Sequence, residues 1–332
     1  MNNLVSFILK LSAIIAVLVT CSCFIITRPT TEFSGFGKSN EIKQYLSTKS
    51  DPDILKNHVQ VLSNKLSPRD YLSTDNLDAC ATYISEAMSS SGGIVSNQTY
   101  VVDNREYKNV IGKFGPVSND IIVVGAHYDA HDKLPGADDN ASGVAGLLDL
   151  ARLLGKSSGT LSKSIELVAF TLEEPPYFAT SNMGSAVYSK KLKESGINVV
   201  IMISLEMIGY FTEVEDSQKF PAPLLGLFYP NKGNFIAVVD QLFSFHAQKL
   251  RDHINSMGEI EAYSINAPAI LPGIDFSDHR NFWQYNYPAI MVTDTAFYRN
   301  TAYHKEHDTE DRLDYIKMSA VINGVFSYLQ NL

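Results

Sequence analysis

Charged side chains are scarce in this chain. Asp, Glu, Lys and Arg make up only 19% of 332 residues, against 45% hydrophobic residues. Intrinsic disorder needs the opposite balance and is excluded. Cysteine is scarcer still: 3 residues cannot build a disulfide scaffold. Positive charge is in deficit, with 27 Lys and Arg against 36 Asp and Glu and a formal net charge of −9. That balance argues against nucleic acid as a partner, which calls for a basic patch or stripe. Glycine (20) and proline (13) are near ordinary usage, so collagen-like and proline-rich repeats are out. The sequence has no internal repeat and no second block of composition large enough for another domain, and its length can bury a sizeable core.

A membrane-length apolar run is also missing. Residues 11–26, LSAIIAVLVTCSCFII, lie between Lys10 and Arg28, and a spanning helix needs about 20 apolar residues. The pattern predicts that residues 1–28 are a signal peptide or an N-terminal membrane anchor. The protein is then exported: secreted, periplasmic, or membrane-anchored and facing outward. No Ala-x-Ala site marks a cleavage point, and Leu18-Val19-Thr20-Cys21 resembles a bacterial lipoprotein box. The polar residues 29–50 read as a linker, and 51–332 as one folded domain. Within it, Leu77, Cys80, Ala81, Ile84 and Met88 share one helical face, so Cys80 reads as a small buried hydrophobe.

From about residue 52 the pattern predicts two helices, then two strands meeting near Asp103-Asn104. Four later apolar runs are short and continuous: Ile121–Val124, Ile165–Phe170, Val199–Ile203 and Ala289–Val292. Such runs suit strands buried on both faces, as in parallel sheets covered by helices. Helical spacing comes next at Val144, Leu147, Leu148 and Ala151, and again at Phe235, Val238, Val239 and Leu242. A last helix is expected from Asp314, with Ile316, Ala320, Val325 and Leu329 inward. The expected fold is a three-layer α/β/α domain with a mixed, mainly parallel central sheet.

The polar residues directly after each apolar run carry the chemistry. The first run leads into His127-Tyr128-Asp129 and the second into Glu173-Glu174. The third leads into Glu206, and the fourth into Asp294 and a loop reaching His304. Open α/β sheets place their sites at the carboxyl ends of strands. Carboxylates and histidines gathered at one edge after buried strands are best explained by bound cations. Alternation puts His127 and Asp129 on one side, where Asp129 can accept from the imidazole and orient it. Pro135-Gly136-Ala137-Asp138-Asp139-Asn140-Ala141-Ser142-Gly143 then opens a helix, with more capping residues than a cap requires.

Taken in order, these pieces resemble the zinc aminopeptidases related to bacterial leucyl aminopeptidase, a family that includes glutamate carboxypeptidase II and glutaminyl cyclase. The matching segments are His127-Tyr128-Asp129, Gly136 to Gly143, Glu173-Glu174, Glu206 to Tyr210, Ser277-Asp278-His279, and Tyr303-His304 with Asp308-Thr309 after it. The resemblance implies a zinc-exopeptidase-like fold and two zinc ions. His127 and Glu206 would hold one ion, Glu174 and His304 the other, and Asp138 would bridge them. Glu173 would be the general base. Asp129, Asp139 and Asp278 would support the ligands without binding metal. Each ion would keep three protein ligands and a place for water. His304 is preferred to His307 as ligand because its spacing to Asp308-Thr309 matches the family. His131 and His279 are expected near the site without ligating.

Two departures stand out. Glu206 occupies a position often held by Asp, and Pro175-Pro176 comes straight after the glutamate pair, so a helix cannot begin there in the usual way. The implied activity is an exported aminopeptidase acting on peptides with a free N-terminus. The alternatives are a single-zinc glutaminyl cyclase, a zinc carboxypeptidase, and a binding domain without activity. The Arg residues near the motifs are Arg280, Arg299 and Arg312, with no cluster to clamp a C-terminal carboxylate.

Overall fold

The four continuous apolar runs become the centre of one sheet. In the computed structural model, which describes residues 49–332 apart from 158 and 160, they form β3 (Asp120–His127), β4 (Ser164–Phe170), β5 (Asn198–Glu206) and β8 (Ala289–Thr293). These four lie side by side and parallel in the order β4-β3-β5-β8. β1 (Ile94–Val102) and β2 (Arg105–Phe114) extend one side antiparallel, joined by the expected turn at Asp103-Asn104. β6 (Ile236–Gln241) pairs antiparallel with β8 and carries β7 (Ala262–Ala267) parallel to it.

Alternate residues of β3 serve the two faces. Ile122 and Val124 enter the larger core, while Ile121 and Val123 enter the other. The larger core is covered by α1 (Pro52–Gln60), α2 (Thr74–Ser90), α3 (Gly143–Lys156), α5 (His246–Met257) and α7 (Tyr315–Gln330). The opposite face is covered by α4 (Gly184–Glu194) and the short α6 (His279–Trp283), through Tyr188, Leu192 and Phe282. The fold is the expected three-layer α/β/α domain with a mixed sheet. Cys80 and its helical neighbours are buried as predicted.

Two expectations fail. Phe235, Val238 and Val239 belong to or abut strand β6 instead of a helix, and α5 starts only at His246. β6 is buried on both faces from Ile236 to Asp240. A strand covered on both sides has no period of two, so its apolar residues also fit helical spacing. Ile316 lies outward, 74% exposed, while Ala320, Val325 and Leu329 of α7 are buried.

Residues 1–48, with the expected leader or anchor and nearly all of the expected linker, lie outside the described residues. Lys49 and Ser50 are already docked: Lys49 pairs with Glu259 at 2.6 Å, and Ser50 N–H donates to Asn323 Oδ1 at 2.8 Å. No helix among the described residues is long and apolar enough to cross a membrane.

His279 gives the fold a pH dependence. The ring is fully buried against Trp283, and Nε2 donates to the Ile274 carbonyl at 2.8 Å. Burial pushes its pKa down from 6.5 to about 4. The unfolded chain therefore binds this proton more readily than the folded one. The stability contributed is complete above pH 6.5 and is lost as pH falls towards 4, by up to about 3 kcal/mol. Urea denaturation across that range should show wild type losing stability on acidification more steeply than His279→Gln. Parallel curves for the two would contradict this.

Candidate metal centre

His127 and Glu206 are the last residues of β3 and β5, and Glu173-Glu174 begins three residues beyond the end of β4. The chain turns sharply at these points. Leu172, Met207 and His304 have φ of 60°, 50° and 54°. A left-handed non-glycine residue costs on the order of 1–3 kcal/mol, and such positions collect where function fixes the backbone. Pro175-Pro176 behaves as expected: the segment after it stays non-helical until α4 begins at Gly184.

The loop 137–142 sorts its side chains by alternation. Asp138 Oδ1 accepts from Gly209 N–H at 3.1 Å and Oδ2 from Asn300 Nδ2 at 2.7 Å. Asn140 Oδ1 accepts from Met207 N–H (3.0 Å), and its Nδ2 donates to the Leu205 carbonyl (2.9 Å). Ser142 Oγ accepts from Ile208 N–H at 3.0 Å. Residues 138, 140 and 142 thus clamp the loop to the 205–209 turn, and Asp139 alone between them faces the cleft.

This corrects the ligand assignment. The family resemblance makes Asp138 the bridge between two ions and sets Asp139 behind it; the geometry instead brings Asp139, not Asp138, to the other donors. Asp139 Oδ1 lies 3.4 Å from His127 Nε2, and Oδ2 lies 3.1 Å from His304 Nε2. Asp138 directs its oxygens to Gly209 and Asn300 and belongs to neither group of convergent donors among the described residues. Asp308 accepts from the N–H groups of Asp138 and Asp139 at 3.1–3.2 Å and so fixes the backbone that presents Asp139.

The remaining donors surround Asp139. Glu206 Oε2 is 3.4 Å from His127 Nε2 and accepts from Ser277 Oγ at 2.7 Å. Glu174 Oε2 is 3.2 Å from His304 Nε2. Glu173 Oε2 lies 3.8 Å from His127 Nε2. His307, by contrast, is exposed. The His127 ring donates from Nδ1 to the Asp129 backbone carbonyl at 3.1 Å, with the Asp129 carboxylate at 3.5 Å, so its Nε2 lone pair faces the cleft. The Asp129 carboxylate instead accepts the N–H groups of Glu173 (3.2 Å) and Glu174 (3.1 Å), tying the histidine strand end to the glutamate pair. Asp278 is fully buried behind His127, Asp129 and Glu206, and burial pushes its pKa to about 7.

Sequence reasoning missed Arg69. It is fully buried and donates to the carbonyls of Tyr128 (2.9 Å), Leu62 (2.6 Å), Pro135 (2.9 Å) and Gly136 (2.8 Å). It ties down both chain segments that enter the site. Nothing in its local sequence signals this.

Several of these atoms are close without being hydrogen-bonded. His127 Nε2, His304 Nε2 and Glu174 Oε1 are buried with no hydrogen-bond partner. Hydrogen bonds need alignment as well as proximity. Donors that are near each other but misaligned point at a common centre, as ligands of an ion do. Two such groups exist among the described residues: His127, Asp139 and Glu206, and His131, Glu174 and His304. The imidazole and carboxylate set fits zinc.

The electrostatics agree. Burial disfavours charge on His127, but Glu206, Glu173, Asp129 and Asp139 outweigh it and hold the ring well above its usual pKa. Burial also opposes charge on His304, yet Asp139 and Glu174 raise it to about 10. Burial, aided by Glu206 and Glu174, raises Glu173 well above the usual carboxylate range against the pull of His127. A field that holds protons this firmly also attracts metal cations, and the two compete.

Comparison with known proteins points the same way. The sequence profile of peptidase family M28 matches residues 109–329. The chain is 44% identical over 291 residues to the uncharacterized protein YfbL of Escherichia coli, covering 85% of this chain and 88% of that one. It is 26% identical over 225 residues to leucine aminopeptidase 1 of Aspergillus clavatus, covering 64% of this chain and about half (52%) of that protein. Among solved structures, the glutaminyl cyclase of Porphyromonas gingivalis has the same fold, with a TM-score of 0.66 and 21% identity over 85% of this chain and 98% of that one.

The choice of Asp139 over Asp138 is testable by zinc content after equilibrium dialysis. Asp139→Asn should lower zinc affinity at least about 10-fold. Asp138→Asn should keep near wild-type zinc content with a lowered Tm. The opposite pattern would restore Asp138 as the bridge.

Proposed function

The chain belongs to peptidase family M28, and on that premise we propose that it is an aminopeptidase that hydrolyses the N-terminal residue of peptides, using two zinc ions and Glu173 as general base. The observation that carries this reading is the doubled donor set around one carboxylate. His127 and Glu206 flank Asp139 on one side, and Glu174 and His304 flank it on the other. These residues would hold the two ions, with Asp139 shared. When bound, zinc supplies Lewis acidity, polarising the scissile carbonyl and making water a nucleophile near neutral pH.

The chain's own residues do the rest. Glu173 is buried beside the donors, and its raised pKa suits a group that takes a proton from water and hands it to the leaving amine. Asp129 fixes Glu173 and Glu174 through their N–H groups, so base and ligand move together. The acidic surroundings attract a substrate with a protonated amino terminus.

A cavity of about 100 Å³ adjoins Glu206 and Tyr303 and is lined by Phe220, Phe235, Ile265, Met291 and Phe297. Its walls suit a large apolar side chain at the substrate N-terminus. Phe297 and Tyr298 also line it. Tyr177 packs on Tyr71, and Phe178 packs on Phe276 and Arg280.

A carboxypeptidase is disfavoured because the nearby arginines are engaged. Arg280 pairs with Asp275 at 3.2 Å. Arg299 is buried and donates to Gln218 Oε1 and the Phe235 carbonyl. Arg312 lies over the Tyr210 ring. A cyclase would use one ion, whereas both donor sets are complete here. Export is part of the same proposal, supported by the apolar run 11–26 between Lys10 and Arg28.

Purified protein should release N-terminal Leu, Phe or Met from peptides in preference to Gly or Asp, lose activity on chelation and regain it with zinc. Glu173→Gln should lower kcat by roughly 10²–10⁴-fold with zinc content unchanged. Full hydrolysis by Glu173→Gln would remove it as the base. Pyroglutamate formation without hydrolysis would replace the aminopeptidase by the cyclase.

A further inference from the structure

The sequence puts His131 near the site but not among the ligands, and in the structure it lies beside Glu174 and His304. Its Nδ1 is buried without a hydrogen-bond partner, as are Glu174 Oε1 and His304 Nε2. One ligand atom from each of these three residues lies within 4.8 Å of the others. His131 Nδ1 is 3.7 Å from Glu174 Oε2, the oxygen that His304 Nε2 approaches at 3.2 Å.

The rings are ordered by stacking. His304 lies between Tyr303 (centroids 3.8 Å apart, planes at 16°) and His131 (3.9 Å, 3°). The turn that carries His131 is anchored on both sides, by Ala130 N–H to the Arg69 carbonyl (3.1 Å) and by Leu134 N–H to the His131 carbonyl (3.2 Å). Parallel rings send their lone pairs side by side. Convergence on one ion requires His131 to tilt. His304 is stacked on Tyr303, while the His131 side chain is 26% exposed.

We propose that His131 is an additional ligand of the ion held by Glu174 and His304, which gives that ion four protein donors with Asp139 and makes it the more tightly bound of the two. The inference rests on the two-zinc reading above. A zinc ion with four protein ligands is closed, as in structural sites, whereas one with three keeps an open position. The His127, Asp139 and Glu206 side then holds the weaker, more open ion. Loading is ordered: the Glu174 side fills first and empties last.

Metal titration of the full, metal-stripped chain tests this without reference to activity. His131→Phe keeps an aromatic ring to stack on His304 but cannot ligate; His131→Ala removes both. Calorimetric zinc titration of wild type should show two steps. His131→Phe and His131→Ala should both weaken the tighter step at least about 10-fold and leave the weaker step in place. Cobalt should report the same loss: the intense visible absorption of a four-coordinate ion should appear first in wild type and be diminished in His131→Phe. Two steps of wild-type affinity in both variants would overturn the proposal and leave His131 as a stacking partner only. A wild-type chain that takes up no metal would overturn the two-zinc reading itself.

Discussion

Burying carboxylates together is the constraint on which the rest of this structure depends. Asp129, Asp138, Asp139, Glu173, Glu174, Glu206, Asp278, Asp294 and Asp308 are all buried around one edge of the sheet. An uncompensated buried charge costs several kcal/mol or more. The nearby cations, Arg69, Arg299, His127 and His304, do not match the acids in number. Such a cluster must hold protons or metal ions. The raised pKa values of Asp278 and Asp308, about 7 and about 8, reflect burial first and neighbouring acids second. Metal ions relieve the same repulsion and add chemistry.

The rigid part of the fold makes that arrangement possible. Four parallel strands end together, and each delivers its polar residue at a backbone position already fixed by the sheet. The carboxylates then divide into two tiers. Asp139, Glu174 and Glu206 face the cleft beside His127 and His304. Asp129, Asp138 and Asp308 commit their oxygens to N–H groups, and Asp138 also to the Asn300 amide. Hydrogen bonding of this kind holds the loop it touches. Arg69 completes the frame from below through backbone carbonyls alone, which is why it can be buried without an adjacent carboxylate partner.

Much of this was legible in the sequence. Continuous apolar runs mark strands covered on both faces, and polar residues directly after them mark the sheet edge where the site forms. His127, Glu173, Glu174, Glu206 and His304 emerge from that logic and from the ordered motifs. What failed depended on conformations that no local pattern encodes. Asp138 and Asp139 are chemically identical neighbours, and only the kinked path of the loop decides which faces the cleft. β6 looked helical because burial on both faces erases strand periodicity.

On the proposed reading, this acid cluster is built around two cations that share Asp139. Anomalous diffraction at the zinc edge, from crystals of protein purified with zinc, tests it most directly. Two peaks are expected, one beside His127, Asp139 and Glu206 and the other beside Asp139, Glu174 and His304. A single peak, or a peak coordinated by Asp138 in place of Asp139, would contradict it.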